Sequence, residues 1–213
     1  MSARLTPPVS ARDHAQGPED APVTLVEYGD YECPHCGRAY PIVKTLQRTL
    51  GNDLRFVFRN FPLTKSHEHA EHAAELAEAA GHEGRFWPMH DVLFEHQDAL
   101  EDEDLIGYAA SLGIDPAGAA AALAQGVFTE RVREDFASGV KSGVNGTPTA
   151  ACPGSSSDPK AAPGNLCLYE SSSKGNNGIT VVNLGRVGFS MFATHVPADT
   201  DYELEGSWAV KAP

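Results

Sequence analysis

The chain has 213 residues, of which 41% are hydrophobic and 21% are charged. This length suits one domain of ordinary size with an insertion or a small appendage, and such a chain folds without disulfide bridges. The formal net charge of −13 argues against nucleic acid as a partner, because binding to phosphates needs clustered Lys and Arg side chains.

The N-terminal part of the chain lacks a targeting signal that can be seen in the sequence. Its first 20 residues contain no apolar run of the kind found in secretory signal peptides. Apolar stretches elsewhere are much shorter than a membrane span. The sequence therefore predicts a cytoplasmic protein without membrane insertion.

Two strands and a helix are predicted in the first third of the chain. Residues 23–28 form an apolar, β-branched run, and residues 54–60 alternate between apolar and polar positions, as is typical of strands. Between them, apolar side chains recur at helical spacing up to Gly51, a residue type that commonly ends helices.

A long helical region follows, from about residue 64 to residue 142. Asp115 and Pro116 predict one helix start, because Asp is a favoured N-cap and Pro fits the first helical position. Another helix, from about 129 to 142, is expected to end at Gly143. Strand, helix, strand and then several helices predict an α/β core with an all-helical insertion.

The composition changes near residue 150. Up to Ala150 the chain carries 23 acidic and 12 basic residues, whereas the remainder carries 6 acidic and 4 basic residues with 8 Ser and 7 Gly. We interpret residues 1–150 as one domain and residues 151–213 as an atypical β- and loop-rich segment of unknown function. Its strand candidates are residues 178–185, 187–193 and 207–210.

The sequence Cys33-Pro34-His35-Cys36 directly follows the first strand and opens the helix. A C-x-x-C motif in that position is typical of a redox pair. Free N–H groups and the helix dipole stabilise a thiolate on Cys33, and His35 adds a nearby cationic or donor group. Both effects lower the pKa of Cys33, which makes it a reactive thiol. Cys36, one turn further on, is expected to resolve the mixed disulfide.

Two other interpretations of this pair stay open, namely half of a zinc site and a pair of inert core cysteines. A zinc site needs a second close pair, whereas 14 residues separate Cys152 from Cys167. We expect neither a metal nor another cofactor. A disulfide between Cys152 and Cys167 would close a short loop, although a reducing cytosol disfavours it.

Glu27 lies within the first strand, six residues before Cys33. Burying a charged carboxylate is costly, so its presence in an apolar strand needs a reason. One interpretation is a partly buried group that exchanges a proton with Cys36 during turnover. The other is that the alternation of the strand turns Glu27 to solvent.

Three histidines precede or open the Ala-rich helical region, namely His67, His69 and His72. Glutamates lie between and after them, and His69 and His72 share a helical face at i, i+3, so a metal site is one interpretation. We favour the simpler one, in which these side chains form the solvated face of a helix.

Residues from about 18 to 149 resemble the DsbA-like branch of the thioredoxin superfamily. The matching pieces are residues 24–28, the Cys33–Cys36 motif and residues 56–62, 86–90 and 143–149. The resemblance implies a thioredoxin-like fold with a helical insertion. It also implies a thiol–disulfide oxidoreductase that acts, without a cofactor, on protein thiols or disulfides or on low-molecular-weight thiols.

The resemblance also implies roles for single residues. Cys33 would attack, Cys36 would resolve, and His35, next to Pro34, would tune the redox poise. Pro148 would be a cis-proline facing the disulfide, and the backbone of Thr147 would contact substrate. Relatives with Pro-His between the cysteines tend to be oxidising.

The segment after Thr149 departs from the family, whose members continue with a strand, a hairpin partner and a closing helix. If this segment supplies no strands, the sheet keeps an unpaired edge. The alternative function is therefore a redox-inert thioredoxin-like interaction module.

Overall fold

The computed structural model describes residues 5–151 and, further along, residues 166–170, 182–184 and 189–191. The strands in these parts are β1 (His14–Gln16), β2 (Val23–Gly29), β3 (Leu54–Asn60), β4 (Thr149–Ala151), β5 (Leu166–Glu170), β6 (Val182–Leu184) and β7 (Phe189–Met191). The helices are α1 (Pro34–Leu50), α2 (Ala70–His82), α3 (Phe86–Glu95), α4 (Asp102–Ser111), α5 (Pro116–Gln125) and α6 (Thr129–Ser142). Within these ranges, no helix combines the length and the apolar character that crossing a bilayer requires.

The strands form one mixed sheet in the order β1-β3-β2-β4-β5-β6-β7. At its centre β2 and β3 run parallel and are connected by α1, while β1 and β4 pair antiparallel on either side of them. Helices α2 to α6 all lie between β3 and β4 in the chain. This arrangement confirms the predicted α/β core with an all-helical insertion. The three-residue strand β1 is too short to show a periodic pattern and was not predicted.

Several helix ends follow from single residues, as the sequence predicts. Asp115 accepts hydrogen bonds from two backbone N–H groups in the first turn of α5, and Pro116 is the first residue of that helix. Helix α6 ends at Gly143, whose φ of +87° is in the left-handed region that glycine adopts without strain.

Both faces of the sheet are covered at β2 and β3, so alternate residues of β2 enter two different interiors. Leu25 and Phe56 belong to the larger core, which contains residues of α1 and α3, whereas Val26 and Val57 belong to the smaller core on the other face. Glu27 follows the alternation of Leu25, and it is only 5% exposed. The interpretation in which Glu27 faces solvent is therefore wrong, because this sheet has no solvated face at that position.

The segment after residue 150 continues the sheet. Strand β4 pairs with β2 and places Ala150 opposite Glu27, and β5 pairs with β4. A strand and a hairpin partner are thus present, so β4 is not an unpaired edge. Strands β6 and β7 lie within the first two strand candidates, whereas residues 207–210 lie outside the described residues. The division into 1–150 and 151–213 stays a prediction.

Arg59, in β3, attaches the N-terminal segment to the sheet. Its side chain is 2% exposed and forms an ion pair with Asp13, whose side chain is 5% exposed, with 2.7 Å between Nε and Oδ1. The same guanidinium donates to the carbonyl oxygens of Pro7 and Pro8 and to the hydroxyl of Tyr28. The charge of Arg59 is therefore fully paired inside the protein.

Candidate active site

The turn after β2 places Cys33 at the N-terminal end of α1. The Cys33 N–H donates to the carbonyl oxygen of Asp30 at 3.1 Å, and Pro34, which is exposed, is the first residue of the helix. Cys36 lies one turn further on and has no exposed surface, whereas Cys33 is 4% exposed. Both cysteines are free thiols here. The structure therefore brings the pair together at a helix N-terminus, as the sequence predicts.

The environment of Cys33 favours its thiolate. A hydrogen bond from Cys36 has the largest effect, and it outweighs burial, which acts in the opposite direction. Hydrogen bonds from the Thr147 side chain and from the backbone N–H groups of Cys36 and His35 add to it. Together they lower the pKa of Cys33 to about 5.

The environment of Cys36 favours its protonated form. Burial is the largest cause that raises the pKa of Cys36, followed by the hydrogen bond to Cys33 and the charges of Cys33 and Glu27. The Asp30 N–H, which donates to the Cys36 sulfur at 3.4 Å, opposes this only in part. At neutral pH the reduced pair therefore consists of one thiolate and one thiol.

These opposite acidities predict the titration of the reduced full chain. We expect a thiolate absorbance transition in the far ultraviolet with a midpoint near pH 5. Cys33→Ser should abolish this transition, and Cys36→Ala should raise its midpoint, because Cys36 is the strongest hydrogen-bond donor to the Cys33 sulfur. Cys152 and Cys167 stay in both variants, so their own titration serves as an internal reference. A wild-type midpoint near the ordinary thiol value would contradict this prediction.

The loop after α6 lies against the cysteine pair. The peptide bond between Thr147 and Pro148 is cis, and both residues are buried. The Cys33 sulfur lies 3.5 Å from the carbonyl oxygen of Thr147. Because β4 begins at Thr149 and pairs with β2, sheet formation brings these two parts of the chain together across 114 positions of sequence.

Glu27 lines a small cavity next to α1 and α3. The cavity has a volume of about 10 Å³, close to the minimum that holds one water molecule, and Lys44 and His90 also line it. Burial raises the pKa of Glu27 to about 8. The carboxyl group is thus neutral at pH 7, and it is close enough to Cys36 for its ionised form to affect the acidity of that thiol.

His35 is half-buried on the first turn of α1. Its Nδ1 accepts a hydrogen bond from the Arg38 guanidinium at 2.8 Å, so Nε2 is the ring nitrogen that carries the hydrogen in this arrangement. Arg38 is exposed and holds a permanent positive charge beside the motif. Sequence reasoning did not single out Arg38, although its i, i+3 spacing from His35 was a signal.

Gln97 supports the active-site turn and was also not singled out. Its Nε2 donates to the carbonyl oxygens of Tyr31 at 2.6 Å and of Cys33 at 3.0 Å. Gly37 packs against this amide so closely that a Cβ there would lie 1.9 Å from the Gln97 Oε1. No local pattern indicates this contact, because the two segments are 60 residues apart in the chain.

His67 lies in the segment before α2, not on the helix. Its Nδ1 is 2.7 Å from the Oδ2 of Asp30, and that oxygen also accepts a hydrogen bond from the Leu63 N–H. The other oxygen of Asp30 accepts from the Glu32 N–H at 2.9 Å. For His67, the interpretation as part of a solvated helix face is therefore wrong.

The two other histidines of that group have separate partners. His72 pairs with Asp102 on the surface, and His69 pairs with its neighbour Glu68. Among the residues that the structure describes, no three His, Cys, Asp or Glu side chains are grouped as a metal ion would require. Cys152, which would form the disfavoured loop disulfide with Cys167, lies outside those residues.

Comparisons with protein families and curated proteins place this site in context. The family model described as thioredoxin matches residues 10–162. The chain is 49% identical over 138 residues to the Na(+)/H(+) antiporter NhaA 1 of Salinispora arenicola, which covers 65% of this chain and 21% of that protein. It is 48% identical over 146 residues to the Na(+)/H(+) antiporter NhaA of Herminiimonas arsenicoxydans, with 68% and 23% covered. The chain thus spans about a fifth of the length of these relatives.

Solved structures with the same fold include several redox proteins. Oxidised BdbD from Bacillus subtilis has a TM-score of 0.62 at 29% identity, and a thioredoxin-like oxidoreductase from Silicibacter pomeroyi has 0.61 at 26%; each comparison covers 68% of this chain and 83% of the other. MdbA from Corynebacterium diphtheriae, a thiol-disulfide oxidoreductase, has a TM-score of 0.56 at 17% identity over 66% of this chain and 81% of its own, which shows a shared fold.

Proposed function

The chain belongs to the thioredoxin family, in its DsbA-like branch, and we propose that it is an enzyme that exchanges a Cys33–Cys36 disulfide with thiols of proteins or small molecules. The observation that carries this proposal is a pair of free thiols at a helix N-terminus, with the Cys33 sulfur 3.5 Å from the carbonyl oxygen of Thr147 and surroundings that lower the pKa of Cys33 and raise that of Cys36. A structural cysteine pair does not need a pKa of about 5 on one partner.

The exchange proceeds in two displacement steps. In the oxidising direction a substrate thiolate attacks the Cys33 sulfur, a mixed disulfide forms, and Cys36 leaves as a thiolate that takes up a proton. A second substrate thiolate then attacks the substrate sulfur of the mixed disulfide, and Cys33 leaves as a thiolate. The substrate loses two electrons and gains a disulfide, and the Cys33–Cys36 pair is reduced. The low pKa of Cys33 makes it the better leaving group.

Glu27 is proposed to exchange the proton of Cys36. With a pKa of about 8, its neutral carboxyl group has a proton available when Cys36 leaves as a thiolate. The cavity beside Glu27 is close to the size of one water molecule, which would exchange a proton with the Glu27 carboxyl group. In the reducing direction the ionised carboxylate would take the proton from Cys36.

Thr147 and Pro148 are proposed to form the contact surface for substrate next to the reactive sulfur. The carbonyl oxygen of Thr147 lies 3.5 Å from the Cys33 sulfur, so an extended peptide whose cysteine reacts there would pass this backbone. Protein thiols and disulfides are accordingly the proposed partners, with low-molecular-weight thiols as smaller substrates.

The acidity of Cys33 supports oxidation as the favoured direction. Interactions that stabilise the Cys33 thiolate lower the free energy of the reduced protein. They make reduction of the disulfide more favourable, so the disulfide form is a stronger oxidant. The roles of Pro34 and His35 in tuning this poise stay predictions, as does the cytoplasmic location. A reducing compartment would oppose net oxidation there.

A second candidate function is a redox-inert thioredoxin-like module that serves a larger protein. The observation that favours it is the high identity to about a fifth of the length of proteins named Na(+)/H(+) antiporters. A missing set of closing strands would also favour this function, but β4 and β5 continue the sheet from β2, so that argument is weaker.

One experiment on the full chain separates the two functions. The Cys33–Cys36 pair is equilibrated with thiol buffers to measure its reduction potential, and Cys36→Ser is used to trap mixed disulfides from a thiol-containing extract. We expect a two-electron couple and trapped partners that a Cys33→Ser/Cys36→Ser double variant does not retain. Without a couple and without trapped partners, the enzymatic proposal fails. A potential near the thioredoxin value of about −270 mV would instead indicate a reductase.

A further inference from the structure

Asp30 connects the active-site turn to the segment that follows β3. Its carboxyl group is fully buried, and its two oxygens contact the N–H groups of Glu32 and Leu63 and the ring of His67. Its backbone carbonyl accepts the N–H of Cys33. Asp30 therefore contacts both the His67 ring and the backbone of Cys33, which carries the reactive thiol.

The surroundings of His67 favour its charged form. Its side chain is 17% exposed, and the charged groups that face it are Asp30, Cys33 and Glu32. Burial lowers the pKa of His67, but the hydrogen bond to Asp30 and the three negative charges outweigh burial and raise it. The raised pKa extends the pH range in which His67 carries a positive charge within electrostatic reach of Cys33.

We propose that His67, held by Asp30, is a positioning residue that offsets the buried negative charge of Asp30 near the Cys33 thiolate and thereby raises the reduction potential of the pair. This inference rests on the proposed oxidoreductase function and adds a residue to it. The reduced protein carries a thiolate at Cys33 and the disulfide form does not, so a nearby cation stabilises the reduced protein selectively. Without His67, the negative charge of Asp30 near the thiolate would not be offset.

The test compares three variants of the full chain. His67→Gln removes the charge and retains a hydrogen-bond donor for Asp30, whereas His67→Lys keeps a positive charge. His72→Gln is the matched control, because His72 also pairs with an aspartate, Asp102, but lies 45% exposed on the surface of α2. Each variant is checked for cooperative unfolding before its thiolate titration and its reduction potential are measured.

We expect His67→Gln to raise the titration midpoint of Cys33 by about one pH unit. The same loss of thiolate stabilisation should change the equilibrium with a thiol buffer about tenfold, which corresponds to a potential about 30 mV lower. His72→Gln should match the wild type in both measurements, and His67→Lys should lie nearer to the wild type than His67→Gln does. A purely structural role of His67 would not give this order.

The outcomes distinguish this inference from the function on which it rests. If His67→Gln keeps the midpoint and potential of a redox-active wild type, the inference is overturned and the oxidoreductase stands. If the wild type has no redox couple, the oxidoreductase itself fails. If His67→Gln does not unfold cooperatively, the Cys33 titration of His67→Lys decides. A midpoint equal to that of the wild type supports the inference, and a midpoint one pH unit higher overturns it.

Discussion

Glu27→Gln is expected to stabilise the reduced protein at pH 7 while it slows disulfide exchange. The wild-type carboxyl group is buried and has a pKa of about 8, compared with an ordinary value of 4.5. At pH 7, ionisation of Glu27 lowers the free energy of the unfolded chain, whereas the folded protein keeps this group neutral. This lowering amounts to about 1.4 kcal/mol for each pH unit above 4.5. Glu27→Gln removes it, so the variant should be more stable than the wild type at pH 7 by at most about 3 kcal/mol.

The pH dependence of this effect has a definite sign. Since folding raises the pKa of Glu27, its contribution to stability is fully present below pH 4.5 and is lost as the pH rises to about 8. The difference in free energy of unfolding between Glu27→Gln and the wild type should therefore be small at pH 4 and should grow until about pH 8. Urea titrations of the reduced proteins at several pH values measure this difference.

The catalytic effect of Glu27→Gln has the opposite sign. An amide cannot exchange the proton of Cys36, so we expect thiol–disulfide exchange to slow by about a hundredfold, in the range for loss of a general acid–base group. Stopped-flow measurement of a peptide thiol reacting with the oxidised protein tests this expectation. An unchanged rate would remove Glu27 from the proposed mechanism.

Glu78→Gln is the matched control for Glu27→Gln. Glu78 is equally buried, but its carboxylate accepts a hydrogen bond from Asn60 at 2.7 Å and pairs with His14 and Arg131. Loss of a paired charge should destabilise the protein by about 1–3 kcal/mol without slowing the exchange. If Glu27→Gln and Glu78→Gln changed stability in the same direction, the expected difference between an unpaired and a paired buried carboxyl group would be contradicted.

Arg59→Met is expected to cost about 3–5 kcal/mol of stability, because it leaves the buried Asp13 carboxylate without its cation. The carbonyl oxygens of Pro7 and Pro8 would lose their donor in the same variant. The N-terminal segment should then detach from the sheet, which limited proteolysis detects before global unfolding. Chemical denaturation of the reduced full chain measures the free energy of unfolding.

Arg55→Met provides the comparison within the same strand. Arg55 makes one long hydrogen bond, 3.5 Å to the carbonyl oxygen of Glu19 at the surface, so its replacement should change stability by less than about 0.5 kcal/mol. A cost below about 1 kcal/mol for Arg59→Met would show that its buried ion pair with Asp13 contributes little to stability.

The sequence allowed the order of elements and the reactive pair to be predicted, because both depend on short-range patterns. Periodicity and capping residues define β2, α1, β3 and α6 nearly to the residue. The position of Cys33 at the start of α1 follows from a motif of four residues. Strand β5 carried no recognised signal and exists by pairing with β4.

The tertiary structure decided which residues surround that pair. Composition separated the chain near residue 150, yet β4 crosses this point and β5 lies beyond it, because backbone pairing with β2 does not depend on side-chain charge. The burial of Glu27 required helices on both faces of the sheet, and the contact of His67 with Asp30 joins segments 37 residues apart. Sequence alone thus determined the family and its reactive motif. Only the fold decided the neighbours of these groups, since long-range packing and electrostatics set their pKa values.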